Sequence, residues 1–134
     1  MTTQSNQLQA PLNWEGSLPE YLVYESLTES FGKLAGVDFT YQSSLLGGRL
    51  FKGGVVLDFL FNNPPDLAIN VQGEYYHYGM GATFIQNDII VRQQMAADGI
   101  NLIFIDENDI LNDVDYFVRE ALNYKDHSKL GGGR

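Results

Sequence analysis

Three short apolar runs constrain this chain more than any other feature of its sequence. They lie at positions 55–61, 67–71 and 100–105. None approaches the roughly 18 residues of a membrane-spanning helix. The run at 100–105 is typical of a strand that is covered on both faces, and the run at 55–61 is equally rich in strand-forming residues. The sequence therefore predicts a sheet with helices packed against it.

Helix signals occur between and around these runs. Ser17 and Glu20 match a capping box with Pro19 in the first turn, which predicts a helix that ends near Gly32 and Gly36. Further helices are predicted at 83–97, followed by Gly99, and at 113–122, after a short acidic turn. A strand is predicted at 37–45, and a hairpin tip or loop at 49–52. The resulting order, α-β-β-β-α-β-α, is that of a mixed α/β sheet flanked by helices.

Size and composition limit the organisation and the function. The 134 residues, 44% of them hydrophobic, suit one domain with a real core. We expect an N-terminal arm at 1–16 anchored by Trp14, a single domain at 17–124 and a flexible tail at 125–134. The chain has no cysteine, which excludes disulfides, thiol nucleophiles and thiolate metal sites. The N-terminus has no apolar centre typical of a signal peptide, so we expect a soluble, cytoplasmic protein.

Asp58 is the only charged residue in the run at 55–61. Burial of an unpaired carboxylate costs several kcal/mol, so Asp58 needs a partner. It is either hydrogen-bonded to a neighbouring turn or a ligand for Mg²⁺. Strand alternation places Asn70, Gln72 and Glu74 on one face if the strand at 67–71 continues that far. That face is either a site beside Asp58 or a solvated strand face.

These residues give the chain its resemblance to a known family. From 17 to 122 the sequence resembles the PD-(D/E)XK, or restriction-endonuclease-like, superfamily, and in particular its very-short-patch-repair-endonuclease-like branch. The residues that carry the resemblance follow one another in the family's order: Glu20, Gln42, Leu57-Asp58-Phe59, Ile69-Asn70-Val71-Gln72-Gly73, His77, Asp88, Arg92, Gly99 and Leu102-Ile103-Phe104. The resemblance implies an αβββαβ core, here with an additional C-terminal helix.

The resemblance also implies metal-dependent hydrolysis of phosphodiester bonds, with Mg²⁺ or Mn²⁺ held by carboxylates. By position, Asp58 is the first metal ligand, Asn70 takes the place of the second carboxylate, and Gln72 that of the family's lysine. Glu20 is the helix acid. Because Asn70 is neutral and Gln72 is not cationic, the metal site is degenerate, and a degenerate site implies no cofactor. Glu74 remains a candidate ligand beside Asp58.

Each remaining candidate has two interpretations. Glu20 is explained by its capping box as well as by metal binding. His77 is a general base or phosphate contact, or else a loop histidine packed among aromatic rings. Tyr75, Tyr76 and Tyr78 stack on bases or anchor a protein interface. Arg92 supplies positive charge to the site or forms a surface ion pair with Asp88.

The charge balance weighs against one of the function classes. Eight basic and 17 acidic residues give a net charge of −9, which disfavours nucleic-acid binding. We therefore expect a nuclease-fold domain with a degenerate site, a structural or binding component of a larger assembly such as a phage-type particle built in the cytoplasm. Its partners are proteins, not membranes. The alternatives are an active Mg²⁺-dependent DNA endonuclease that uses Asp58, Glu74 and Glu20, and an inactive domain that grips nucleic acid through Arg49, Lys52 and Arg92.

Overall fold

A computed structural model of the chain describes residues 9–42, 49–51, 55–73 and 82–130. The helices are α1 (Leu18–Glu25), which continues into a π-helical turn (Ser26–Ser30), α2 (Ala82–Ala97) and α3 (Glu107–Leu122). The strands are β1 (Phe39–Tyr41), β2 (Arg49–Phe51), β3 (Val55–Leu57), β4 (Phe59–Phe61), β5 (Leu67–Gln72) and β6 (Asn101–Asp106).

A mixed four-stranded sheet forms the centre, in the order β1-β4-β5-β6. The β1–β4 and β4–β5 pairs are antiparallel, whereas β5 and β6 are parallel and are connected through α2. The β2–β3 pair is a separate antiparallel hairpin. Without that hairpin, the order of the main elements is α1-β1-β4-β5-α2-β6, followed by α3. The mixed α/β class predicted from the sequence is confirmed.

Strand alternation sends the apolar side chains of the sheet into two cores, one on each face. Ile69, Ile103 and Ile105 face α1 and α3, whereas Ala68, Leu102 and Phe104 face α2. The sheet is therefore covered on both faces, as the apolar run at 100–105 predicts. In the described ranges, no helix has the length and apolar character needed to cross a membrane.

The helix signals are largely confirmed. Ser17 and Glu20 form the predicted capping box, and Gly99 follows α2 with a φ of +82°. The acidic turn expected before residue 113 is wrong, because α3 begins at Glu107. Asp113 interrupts this helix with non-helical angles, and its carboxylate accepts a hydrogen bond from the Tyr116 N–H at 3.2 Å. Asp113 thus caps the segment that the sequence predicted as a separate helix.

Two strand predictions need correction. The run at 55–61 is not one strand, because a bend at Asp58 divides it into β3 and β4. The residues at 49–51, expected to form a hairpin tip or loop, are strand β2 and pair with β3. In the described part of the strand predicted at 37–45, β1 covers Phe39–Tyr41, and residues 43–45 lie outside the described residues.

Candidate functional site

Asp58, at the bend before β4, and Asn70 on β5 each accept a hydrogen bond from a backbone N–H of the opposite segment. The Val71 N–H donates to Asp58 Oδ2 at 2.9 Å, and the Asp58 N–H donates to Asn70 Oδ1 at 2.8 Å. The antiparallel register continues to this point from the Phe59↔Ile69 pair. In a regular antiparallel pair, backbone carbonyl groups accept the hydrogen bonds of the opposite strand. Because the backbone bends at Asp58, the side chains of Asp58 and Asn70 supply these acceptors instead. We call this pair the Asp58–Asn70 bracket.

The bracket explains how an aspartate is tolerated here. Asp58 is only 2% exposed, and a buried carboxylate is stabilised by N–H donors such as that of Val71. The sequence left Asp58 with two interpretations, hydrogen bonding or metal binding. The structure supplies a hydrogen-bonded partner, on the neighbouring strand.

Gln72 connects the sheet to α2. It lies two residues beyond Asn70 on β5, is 1% exposed, and its Nε2 donates to Asp88 Oδ2 at 2.8 Å. Asp58 therefore lies at the bend before β4, next to Asn70 on β5, and Gln72 follows on the same strand. Each has a polar contact within the fold.

Arg92 packs inward from α2 and does not present its charge to solvent. Its guanidinium lies 5.8 Å from the centre of the Phe104 ring, and Nη1 lies 3.8 Å from Asp126 Oδ2. The side chain is 20% exposed, and Nη1 is buried without a hydrogen-bond partner in the part of the chain that the structure describes. This placement stabilises the contact between α2 and the sheet, and it leaves little of Arg92 for a phosphate.

Asp126 is a buried carboxylate that the sequence interpretation missed. It is 1% exposed and accepts hydrogen bonds from the Phe104 N–H at 2.9 Å and the Ser128 N–H at 2.8 Å. The Asp-x-Ser spacing is a signal for this local turn. Residues 125–130 were expected to begin a flexible tail, but this part covers the open edge of β6. The Lys129 N–H extends the cover by donating to Asp106 Oδ2.

Glu20 has the contacts of a capping residue. It is 2% exposed, and its Oε1 accepts from the Ser17 N–H at 3.2 Å and from the Tyr41 hydroxyl at 2.7 Å. The hydroxyl contact joins the start of α1 to strand β1. The capping interpretation of Glu20 is confirmed, and the metal interpretation stays a prediction.

The remaining candidates lie outside the described residues. These are Glu74, Tyr75, Tyr76, His77 and Tyr78. Within the described ranges, no three His, Cys, Asp or Glu side chains are grouped so that they could hold a metal ion. The metal pair of Asp58 and Glu74 therefore stays a sequence-based hypothesis.

A groove lined by aromatic side chains is the second site-like feature, and the sequence did not predict it. The groove has a volume of about 780 Å³ and runs between the N-terminal arm, α1 and β1. Trp14 stacks on Tyr41 with ring centres 4.8 Å apart. Tyr21 and Tyr24 meet Trp14 edge-on, each with ring centres 5.2 Å away. These four part-buried rings come from three separate segments, so only the fold assembles them.

Negative charge surrounds this aromatic groove. Glu15 contributes to the lining, and the Tyr21 hydroxyl donates to Glu25 Oε2 at 3.3 Å. Partial burial and the nearby Glu25 and Glu29 carboxylates raise the pKa of Tyr21 above its ordinary value. Lys33 is the only basic residue in the segment 9–42, which holds five acidic residues. The groove therefore combines ring faces with an acidic rim.

Comparison of the chain with protein-family models finds no matching family, and comparisons with curated proteins and with solved structures find no match.

Proposed function

We propose that this chain is a non-catalytic binding domain on a restriction-endonuclease-like scaffold, acting as a component of a larger protein assembly. The observation that carries the proposal is the Asp58–Asn70 bracket. At the two positions where the resemblance implies metal ligands, an oxygen of each side chain accepts a backbone N–H. These residues therefore have a structural role that needs no metal.

The chemistry of Asn70 supports the same proposal. Mg²⁺ is a hard cation that favours carboxylate oxygens, and Asn70 offers a neutral amide oxygen. That oxygen lies 2.8 Å from the Asp58 nitrogen, so a metal ion would compete with an existing hydrogen bond. Gln72 carries no charge, and its amide group donates to Asp88. The contacts of Asn70 and Gln72 stabilise the sheet. Neither residue supplies the charge of the carboxylate or the lysine that the resemblance implies at its position.

The order of the main elements supports the scaffold. After α1, the strands β1, β4 and β5 lie side by side, α2 crosses over, and β6 pairs in parallel with β5. This is the αβββαβ order that the resemblance implies. The acidic balance of the chain, −9, favours protein partners over a phosphate backbone.

The first test is an assay for metal-dependent cleavage. We expect the purified chain to leave supercoiled plasmid intact with Mg²⁺ or Mn²⁺ and to give no binding heat with Mn²⁺ in calorimetry. Asp58→Asn, which retains an oxygen acceptor for the Val71 N–H, is the matched control variant. Cleavage by the wild-type chain that Asp58→Asn abolishes would contradict the non-catalytic proposal and favour the endonuclease alternative.

The scaffold is tested by rebuilding the family's motif. In Asn70→Asp combined with Gln72→Lys, the new carboxylate still accepts the Asp58 N–H, and the new ammonium lies near Asp88. We expect Mn²⁺ binding to become measurable by calorimetry in the double variant, because a second anionic oxygen adds favourable charge interaction. Gln72→Lys alone is the control, since it adds no ligand. A double variant that folds but does not bind Mn²⁺ would contradict the proposed restriction-endonuclease-like scaffold. It would not affect the result of the cleavage assay.

A further inference from the structure

We propose that the groove between Trp14, Tyr21, Tyr24 and Tyr41 is the docking site for an arginine-bearing basic segment of a protein partner. This inference deepens the proposed binding function and rests on it. It names the surface and the chemistry of the partner.

The shape of the groove suits a side chain with part of its backbone. Its volume of about 780 Å³ lies within the range of roughly 300–1,000 Å³ that small-ligand sites occupy. Beside the aromatic rings, Ala35, Gly36 and Thr40 also line the groove. The small side chains of these residues leave space for a peptide.

The aromatic wall is held in place before any ligand arrives. The Trp14 Nε1 donates to the Ser17 carbonyl at 3.1 Å, and the Tyr41 hydroxyl donates to the buried Glu20 carboxylate at 2.7 Å. Gly16 allows the close contact, since a Cβ at this position would lie 2.7 Å from Glu20 Oε1 and collide with the Tyr41 hydroxyl. A prearranged wall lowers the entropy cost of binding.

The acidic residues around the groove favour a positively charged ligand. Aromatic rings attract a guanidinium or ammonium group, the four rings of the groove are only part-buried, and Glu15, Glu25 and Glu29 add negative charge nearby. Lys33, the basic residue of this segment, lies near Asp38, and its charge helps to lower the pKa of the Asp38 carboxyl group. Phosphate groups are repelled by the same rim, so the observations favour a basic peptide over a nucleic acid. A planar guanidinium group stacks on aromatic rings and pairs with carboxylates. It therefore suits the rings and the acidic rim of the groove better than an ammonium group does.

The experiment uses the single tryptophan of the chain as its reporter. A short peptide of alternating arginine and glycine is titrated into the full chain while Trp14 fluorescence is recorded, and calorimetry repeats the measurement. The comparison probes are the same peptide with glutamate in place of arginine and a single-stranded thymidine oligonucleotide. We expect saturable binding of the arginine peptide only.

The variants locate the binding site. Glu15→Gln and Glu25→Gln keep the size of exposed side chains and should each weaken binding about threefold to tenfold, because one neighbouring charge is removed. Tyr21→Ala should weaken it further, because it removes a ring from the wall. Asp98→Asn, after α2 and away from the groove, changes the net charge equally and should leave binding unchanged.

Three outcomes overturn the inference. They are no saturable binding of the arginine peptide, equal binding of the glutamate peptide or the oligonucleotide, and equal weakening by Asp98→Asn and Glu25→Gln. None of them alters the plasmid and Mn²⁺ assays, which test the Asp58–Asn70 bracket. Failure of the groove is therefore distinguishable from failure of the non-catalytic proposal.

Discussion

Buried carboxylates in this protein accept hydrogen bonds from backbone N–H groups. Asp58 accepts the Val71 N–H, Asp126 accepts the N–H groups of Phe104 and Ser128, and Glu20 accepts that of Ser17. An unsatisfied buried N–H costs about 1–3 kcal/mol, so each acid has a structural reason for its position. Residue type alone does not reveal this reason, because the same carboxylate in another setting would bind a metal ion.

Gly16 gives a prediction at the scale of one residue. Gly16→Ala should destabilise the protein by about 2 kcal/mol or more, because φ is +147° and the new Cβ would collide with the Tyr41 hydroxyl. Urea denaturation measures the change. Gly32→Ala is the matched control, since its φ is +66° but nothing lies within 4 Å of a Cβ there. Equal losses in the two variants would show that the contact at Gly16 is unimportant.

The elements are completed by segments that lie outside regular secondary structure. Strand β6 is an edge strand, and an uncovered edge offers its N–H groups to other chains. Residues 126–129 cover it through the Phe104 N–H and through the contact of Lys129 with Asp106. In the same way, the segment before α1 holds the aromatic groove together. Short irregular segments thus decide which surfaces are exposed.

Asp126 gives a prediction at the scale of the element. Asp126→Ala should lower the free energy of unfolding by about 2–4 kcal/mol, because it leaves the N–H groups of Phe104 and Ser128 without their acceptor and Arg92 without its ion-pair partner. Chemical denaturation measures the loss, and hydrogen exchange at the Phe104 amide should accelerate. Ser128→Ala removes only the hydroxyl donor and should cost about 1 kcal/mol. A similar loss in both variants would contradict the edge-covering role of Asp126.

In the part of the chain that the structure describes, a sheet lies between two helical layers, and polar contacts connect the segments around it. Asp38 illustrates the long-range contacts. Its Oδ2 accepts the Leu34 N–H at 2.8 Å, its Oδ1 lies 3.3 Å from Asn63 Nδ2, and its carbonyl accepts the N–H groups of Asn62 and Asn63. It joins the loop after α1 to the turn between β4 and β5.

The response of stability to pH is a prediction for the whole molecule. The Leu34 N–H holds the pKa of Asp38 below its ordinary 3.8, and the bond with His127 holds that of Glu120 below 4.5. A lowered pKa means that the ionised form is favoured in the folded state. The stabilisation is therefore present above those ordinary values and is lost as pH falls through the lowered ones.

Thermal unfolding of Asp38→Asn measures this effect. The Tm of the wild type should exceed that of the variant at about pH 5–7, and the difference should shrink as pH falls below about 4. The difference should be small, because Asp38 is not deeply buried. A difference in Tm that stays constant through the acid range would show that ionisation of Asp38 does not contribute.

Local signals were sufficient for the start of α1, for the end of α2 and for the fold class. The Ser17–Glu20 capping box placed the start of α1, Gly99 marked the end of α2, and the apolar run at 100–105 required cover on both faces. Each signal depends on residues within a few positions of one another, and hydrogen bonds of that range form in the same way in most folds. The sequence by itself also determined that Asp58 needs a partner, since burial without one is costly.

Only the tertiary structure decided that this partner is the Val71 N–H. Val71 lies 13 positions along the chain, and its hydrogen bond to the Asp58 carboxylate depends on the β4–β5 register and on the bend that divides the run at 55–61. The Asp126 carboxylate accepts the N–H of Phe104, which lies 22 positions away in the chain. Trp14 stacks on Tyr41 only because the segment before α1 packs against β1. Strand register and chain return are set by the packing of the whole core, which no local pattern encodes.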